Sequence, residues 1–129
     1  MLFLLDTTVL IDYLGAAPAA DRVEEIVDRG DVVCTTAINV EEVVRGLRRR
    51  ETPAAESLFE GLIVVPLGAR EGWQAGTWRR EFGARGVTLS QADCLIASAA
   101  LTAGATLATG NPADFPMRQI AVEHWPVGQ

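Results

Sequence analysis

The sequence predicts an α/β fold: a three-layer α/β/α domain whose central parallel sheet has four to five strands. Three observations carry that prediction. Short apolar runs alternate along the chain with longer stretches whose apolar residues recur at helical spacing. That alternation requires crossover connections and a parallel sheet covered on both faces. No internal repeat, linker or low-complexity tract interrupts it, and 129 residues with 49% hydrophobic content fit one domain, 1–129, with a sizeable core.

The elements follow in order. Leu2 to Leu5 form an apolar run short enough for a buried strand. Val9 to Leu14 read as a helix, ended by Gly15 and the Ala-Pro stretch to Pro18. From Ala20 to Arg29, Val23, Ile26 and Val27 recur at helical spacing with acids outside, and Gly30 closes that helix. Val32 to Thr35 give a second strand. Ala37 to Arg50 read as one helix, because Val40, Val43, Val44 and Leu47 keep the i, i+3, i+4, i+7 rule. Pro53 to Leu62 give another helix, and Ile63 to Val65 a third strand. Ala69 to Arg85 form a long helix carrying Trp73 and Trp78, stopped near Gly86; packing is the favoured role of both rings, with base stacking the alternative. Ser90 to Ala103 make a helix apolar almost all round, ending at Gly104. Thr106 to Ala108 form a fourth strand and Ile120 to Val122 a fifth.

The composition excludes several chemistries. The net charge of −6 argues against a broad basic surface. The eleven basic residues are all Arg, clustered at Arg45, Arg48, Arg49 and Arg50 and again at Arg79, Arg80 and Arg85. Arg is the better bidentate phosphate ligand, although such arginines also simply solvate helix faces. The absence of Lys removes Schiff-base chemistry and Walker-type phosphate loops, and the single His124, read as structural or surface, cannot form an acid–base histidine pair. Cys34 and Cys94 lie in apolar strings and read as small buried hydrophobes in a reducing compartment. The opening apolar run is too short, and too soon interrupted by Asp6, for a signal peptide or membrane span, so the expectation is a soluble cytoplasmic protein without membrane attachment.

Four acidic positions stand where strands end or helices begin. Asp6 ends the first strand and has an N-cap as its alternative reading. Glu42 lies three residues after Asn39, the spacing of a capping box, and helical phase leaves Glu41 and Glu42 both open. Asp93 lies three residues after Ser90, a capping position, at the first turn of a helix that must be largely buried. Asn111 and Asp114 follow the fourth strand, with Thr109 as a nearby hydroxyl donor or turn residue. In a parallel sheet these positions share one edge, the edge at which open α/β sheets bind ligands. Acids gathered without cations bind metal, take up protons or repel one another. An all-oxygen donor set favours a hard ion, Mg²⁺ or Mn²⁺.

The ordered motifs resemble the PIN-domain nucleases, in particular VapC-type toxins of bacterial toxin–antitoxin pairs. The matching segments are Leu4-Leu5-Asp6-Thr7-Thr8-Val9-Leu10-Ile11-Asp12, Asn39-Val40-Glu41-Glu42-Val43-Val44-Arg45-Gly46, Gln91-Ala92-Asp93-Cys94-Leu95-Ile96-Ala97-Ser98-Ala99-Ala100 and Leu107-Ala108-Thr109-Gly110-Asn111-Pro112-Ala113-Asp114-Phe115, with Glu123-His124-Trp125 near the end. The resemblance implies a parallel sheet sandwiched by helices and a Mg²⁺-dependent endoribonuclease, with Mn²⁺ able to substitute. It also implies an RNA substrate, a cognate antitoxin that blocks the site, and a homodimer. Carried over residue by residue, Asp6, Glu42 and Asp93 are the core acids, and Asp6 and Asp93 the first choice as direct metal ligands. Many relatives carry an acid where this chain has Asn111, while Asp114 fills a more distal acidic slot. Which of the two fills the fourth position, and whether one ion binds or two, is left open. Thr7, Thr109, Arg48 and Arg49 are the candidate phosphate or RNA contacts. The alternatives are a housekeeping RNA-processing nuclease of the same family and a non-catalytic PIN-like binding module. Haloacid-dehalogenase-like phosphatases also begin with an apolar strand and an Asp, but need a second acid where this chain has Thr8 and usually a Lys; receiver domains have an acidic Mg²⁺ pocket and also use a Lys, which this chain lacks.

Overall fold

The computed structural model describes residues 1–15 and 18–127. Five parallel strands, β1 (Leu2–Leu5), β2 (Val32–Thr35), β3 (Ile63–Val64), β4 (Thr106–Thr109) and β5 (Val122–His124), form one sheet in the order β3-β2-β1-β4-β5. Six α-helices connect them: α1 (Thr7–Leu14), α2 (Pro18–Asp28), α3 (Ala37–Arg45), α4 (Thr52–Glu60), α5 (Ala69–Ala84) and α6 (Gln91–Ala103). The three-layer expectation holds.

The central strand explains the layering. Phe3, Leu4 and Leu5 on β1 are all fully buried, so the strand is covered on both faces and reads as a continuous apolar run. Leu4 packs with Cys34, Leu107, Trp78, Ile96 and Ala100 beneath α5 and α6. Phe3 and Leu5 join Val9, Leu10, Val23, Ile26 and Val43 from α1, α2 and α3 on the other face, with Trp125. Removing each such aliphatic side chain from water stabilises the fold by about 1.5–3 kcal/mol. Both cysteines are free and buried, as their apolar settings require.

The topology fixes where a ligand can sit. From β1 the chain moves outward to β2 and β3, then returns past β1 to β4 and β5. The direction therefore reverses between β1 and β4, and the crevice outside the carboxyl ends of those two strands is the topological switch point. The Asp6 N–H still bonds to the Ala108 carbonyl (3.0 Å), so the two strands stay together up to that crevice.

Several boundaries differ from expectation. Helix α3 stops at Arg45 with Gly46 as its cap, and a 3-10 turn at Arg49–Glu51 leads into α4. The Glu51 carboxylate accepts the Arg48 N–H (2.8 Å), an arrangement that a helix continuing to Arg50 would forbid. Strand β5 lies two residues later than Ile120 to Val122, because pairing with β4 sets it: Val122 is opposite Leu107 and His124 opposite Thr109. Trp78 is buried at 1% exposure, whereas Trp73 is 82% exposed and does not pack. Helix α6 ends as expected, with Gly104 in the left-handed region (φ 68°) that glycine adopts without steric cost. Gly15 caps α1, while Ala16 and Ala17 lie outside the described residues.

Candidate functional site

Asp6 stands at the switch point and is 7% exposed. It occupies the N-cap position of α1, yet its side chain makes no cap hydrogen bond. Its oxygens are held elsewhere. Thr109 Oγ1, at the end of β4, donates to Asp6 Oδ2 (2.7 Å), and Asn39 Nδ2 donates to Asp6 Oδ1 (3.3 Å). Thr109 Oγ1 in turn accepts the Asn111 N–H (3.0 Å), tying the turn after β4 to Asp6.

Asn39 was not singled out from the sequence as a site residue, and it is fully buried. It is not the N-cap of α3; that is Thr36, and Asn39 stands at N3 of a capping box. Thr36 Oγ1 donates to Asn39 Oδ1 (2.7 Å), as does the Thr36 N–H (3.3 Å), which forces the amide nitrogen toward the crevice. There it donates to both Asp6 and Thr7 Oγ1 (3.0 Å), and Thr7 Oγ1 donates onward to Glu42 Oε1 (2.7 Å). One amide therefore links Asp6 directly, and Glu42 through a hydroxyl. The signal was the spacing Thr36-x-x-Asn39, a capping box with Asn in the place usually taken by Glu or Gln.

The same chain of bonds separates Glu42 from Glu41. Glu42 points to Thr7, whereas Glu41 is exposed and pairs with Arg45 (3.1 Å) along the helix. Asp93 is half-buried in the first turn of α6, where its N–H donates to the Ser90 hydroxyl (3.0 Å), the expected cap. Asn111 and Asp114 are exposed, at the start and end of the turn Pro112–Asp114. Gly110 sits in a tight space: an added Cβ would lie 3.0 Å from Val127 Cγ1 and 3.3 Å from Thr8 Oγ1, the atom that already accepts the Gly110 N–H (2.9 Å). Arg48 and Arg49 are exposed beyond the far end of α3, six and seven residues past Glu42.

Electrostatics joins the acids. Burial raises the Asp6 pKa, opposed by the Thr109 hydroxyl and the Thr7 backbone; the Glu42 charge raises it further, and Asn39 lowers it. Asp93 is also raised, first by burial against a hydrogen bond from Ser90, then by the charges of Asp114, Asp6 and Glu42. Asp93 therefore feels the other three carboxylates and Asp6 feels Glu42, and among the described residues none of the four has a salt-bridge partner. Among the described residues no group of three or more His, Cys, Asp or Glu side chains is placed to hold a metal ion by itself. Oxygen donors that repel each other and lack a basic neighbour fit a hard divalent cation that retains part of its water shell. Neither imidazole nor thiol belongs to the set: His124 is exposed on β5, and Cys94 is in the core.

Comparison with known proteins bears on the family and the fold. The sequence profile of the PIN domain matches residues 3–121. Ribonuclease VapC19 of Mycobacterium tuberculosis is 28% identical over 115 residues, covering 88% of this chain and 92% of that protein. Among solved structures, VapBC2 from Rickettsia felis bound to a promoter DNA fragment is similar with a TM-score of 0.82 at 22% identity, covering 97% of this chain and 99% of that one. VapBC-1 from nontypeable Haemophilus influenzae gives 0.81 at 24% identity, covering 97% and 98%. DNA-bound VapBC from Salmonella typhimurium gives 0.82 at 24%, covering 97% and 99%. At these identities the structural likeness establishes the shared fold.

Proposed function

This chain belongs to the PIN-domain family, and from that premise we propose that it is a Mg²⁺-dependent endoribonuclease acting in the cytoplasm as the toxin of a toxin–antitoxin pair. The observation that carries the reading is Asp6 at the topological switch point, linked through Asn39 and Thr7 to Glu42 and without a salt-bridge partner among the described residues.

Asp6 and Asp93 would hold the ion, with Glu42, Asn111 and Asp114 completing the oxygen donors. When bound, Mg²⁺ or Mn²⁺ supplies a lowered water pKa and neutralises charge on the phosphate undergoing displacement. The chain's own groups do the positioning. Thr109 and Asn39 each donate to one oxygen of Asp6, fixing the carboxylate plane. Thr7 occupies Glu42 Oε1, leaving Oε2 to accept a proton from an attacking water. Asp114, exposed at the mouth, orients water on the solvent side. With a carboxylate as base and water as nucleophile, the RNA 2′-hydroxyl stays intact and the products end in 5′-phosphate and 3′-hydroxyl.

The named relatives are VapBC assemblies, and the same type of antitoxin partner is proposed here together with a homodimer. The groove between α3 and α4, about 560 Å³ and lined by Val40, Val44, Leu47, Ala55 and Phe59, offers the antitoxin an apolar face. The deciding experiment is incubation of total cellular RNA with the native chain and with Asp93→Asn, in Mg²⁺ and in chelator, followed by end-mapping. Cleavage by the native chain in Mg²⁺ alone, with 5′-phosphate ends, is expected. Cleavage in chelator, or 2′,3′-cyclic phosphate ends, would reject the proposed chemistry.

A further inference from the structure

A polar cleft of about 350 Å³ lies between the end of α5 and the chain that follows Asp114. Trp78 and Phe82 line it with Arg85 and Glu81 from one side, and Pro116, Arg118 and Gln119 from the other. Its position relative to the acids follows from the helix directions. Arg70 and Gln74 near the start of α5 line one pocket with Leu101 and Thr102 near the end of α6, and Arg79 Nε donates to the Leu89 carbonyl (3.1 Å) just before α6 begins. The two helices are therefore antiparallel, and the end of α5 comes beside the first turn of α6, which carries Asp93. From the other direction, Arg118 is four residues past Asp114, so the two are separated by at most about 14 Å of extended chain.

We infer that this cleft is a phosphate subsite for single-stranded RNA flanking the acidic site, with Arg85 and Arg118 as its anion ligands; the inference rests on the nuclease reading above. A strand approaching four carboxylates on a chain of net charge −6 needs local cations. Among the described residues neither guanidinium has a carboxylate within salt-bridge distance, although Glu81 shares the cleft. Arg85 lies over the Phe82 ring at 4.3 Å, which fixes its plane and leaves the N–H edge free for two phosphate oxygens. Arg118 is exposed on the opposite wall of the cleft, with its guanidinium available to the same strand. Arg48 and Arg49, the cations favoured by the sequence, follow the far end of α3 and would meet a different stretch of any bound strand.

The test is a salt titration of a labelled short single-stranded RNA of mixed sequence in Ca²⁺, with gels verifying that the strand stays intact. Each phosphate neutralised contributes about 0.7 to the slope of log affinity against log salt. The double variant Arg85→Gln/Arg118→Gln should lower that slope by about 1.4 and weaken binding roughly tenfold at low salt. Its melting temperature should match that of the native chain. The Arg85→Lys/Arg118→Lys variant should restore most of the slope. Arg70→Gln, fifteen residues before Arg85 and about 22 Å away along α5, should leave the slope unchanged. Native affinity and slope in the double Gln variant would overturn the subsite and leave the nuclease reading standing. A native chain that neither binds nor cuts RNA would overturn both.

Discussion

Replacing Asn39 by Ala removes four hydrogen bonds at once. The amide accepts from the Thr36 hydroxyl and N–H, and donates to Asp6 Oδ1 and Thr7 Oγ1, with no part of the residue exposed. The loss strands the Thr36 donors and takes a donor from a buried carboxylate; each unsatisfied buried group costs about 1–3 kcal/mol. Water entering the space offsets part of that, and roughly 3 kcal/mol is expected overall. For a chain of this size that is a fall in melting temperature of about 10 °C. Because Asn39 also links Asp6 to Glu42 through Thr7, Mn²⁺ affinity should fall about 10–100-fold, the usual effect of removing a group that orients a ligand. Asn39→Asp separates the two effects. It keeps the volume and the bonds from Thr36 but sets a fifth carboxylate in the site, directly against Asp6, so it should be least stable in chelator and regain stability with Mn²⁺. The assays are thermal melts with and without Mn²⁺, and Mn²⁺ titration by electron paramagnetic resonance. An Asn39→Ala variant that melts within about 2 °C of the native chain and binds Mn²⁺ equally well would refute the role assigned to the amide.

Two further outcomes follow from the same geometry. Thr109→Val keeps the shape but removes the donor to Asp6 Oδ2 and the acceptor of the Asn111 N–H, so Mn²⁺ affinity should drop by about tenfold or more with a stability loss of about 1–3 kcal/mol; unchanged Mn²⁺ titrations would count against it. In chelator, stability should rise as pH falls from neutrality toward the ordinary carboxylate range. Asp6 and Asp93 have raised folded-state pKa values, so their contribution is fully present below the ordinary value of 3.8 and is lost as pH rises through the raised values. Asp31, lowered by Arg29 and the N-terminal ammonium, and Glu71, lowered by the Gly68 N–H, act in the opposite sense, but only as pH falls below their ordinary values of 3.8 and 4.5. The rise should be smaller in Asp93→Asn, and melts that show the same pH profile in both chains would exclude Asp93 as a contributor.

The sequence disclosed the first two strands. Leu2–Leu5 and Val32–Thr35 need no tertiary information beyond their apolar runs. The fifth strand is different, because Ile120, Ala121 and Val122 are equally apolar and only pairing with β4 decides the register. Trp73 and Trp78 are five positions apart, about 140° around a helix, so both could not face one core. The acidic positions were legible because each stands at a strand end or in an early helical turn. Helical phase did not separate Glu42 from Glu41, which only the family resemblance did, since the structural difference depends on Thr7 reaching across from α1. Asn39 escaped for the same reason: local spacing marks a cap, while its second role needs β1 beside the start of α3. The pairing of Arg85 with Arg118 is likewise invisible until α5 and the segment after Asp114 are brought together.

The most direct measurement is an anomalous difference map from a crystal of the chain soaked in Mn²⁺. The account predicts a peak within about 2.0–2.3 Å of oxygens from both Asp6 and Asp93. An ordered crevice without a peak, or Mn²⁺ bound only elsewhere on the surface, would contradict it.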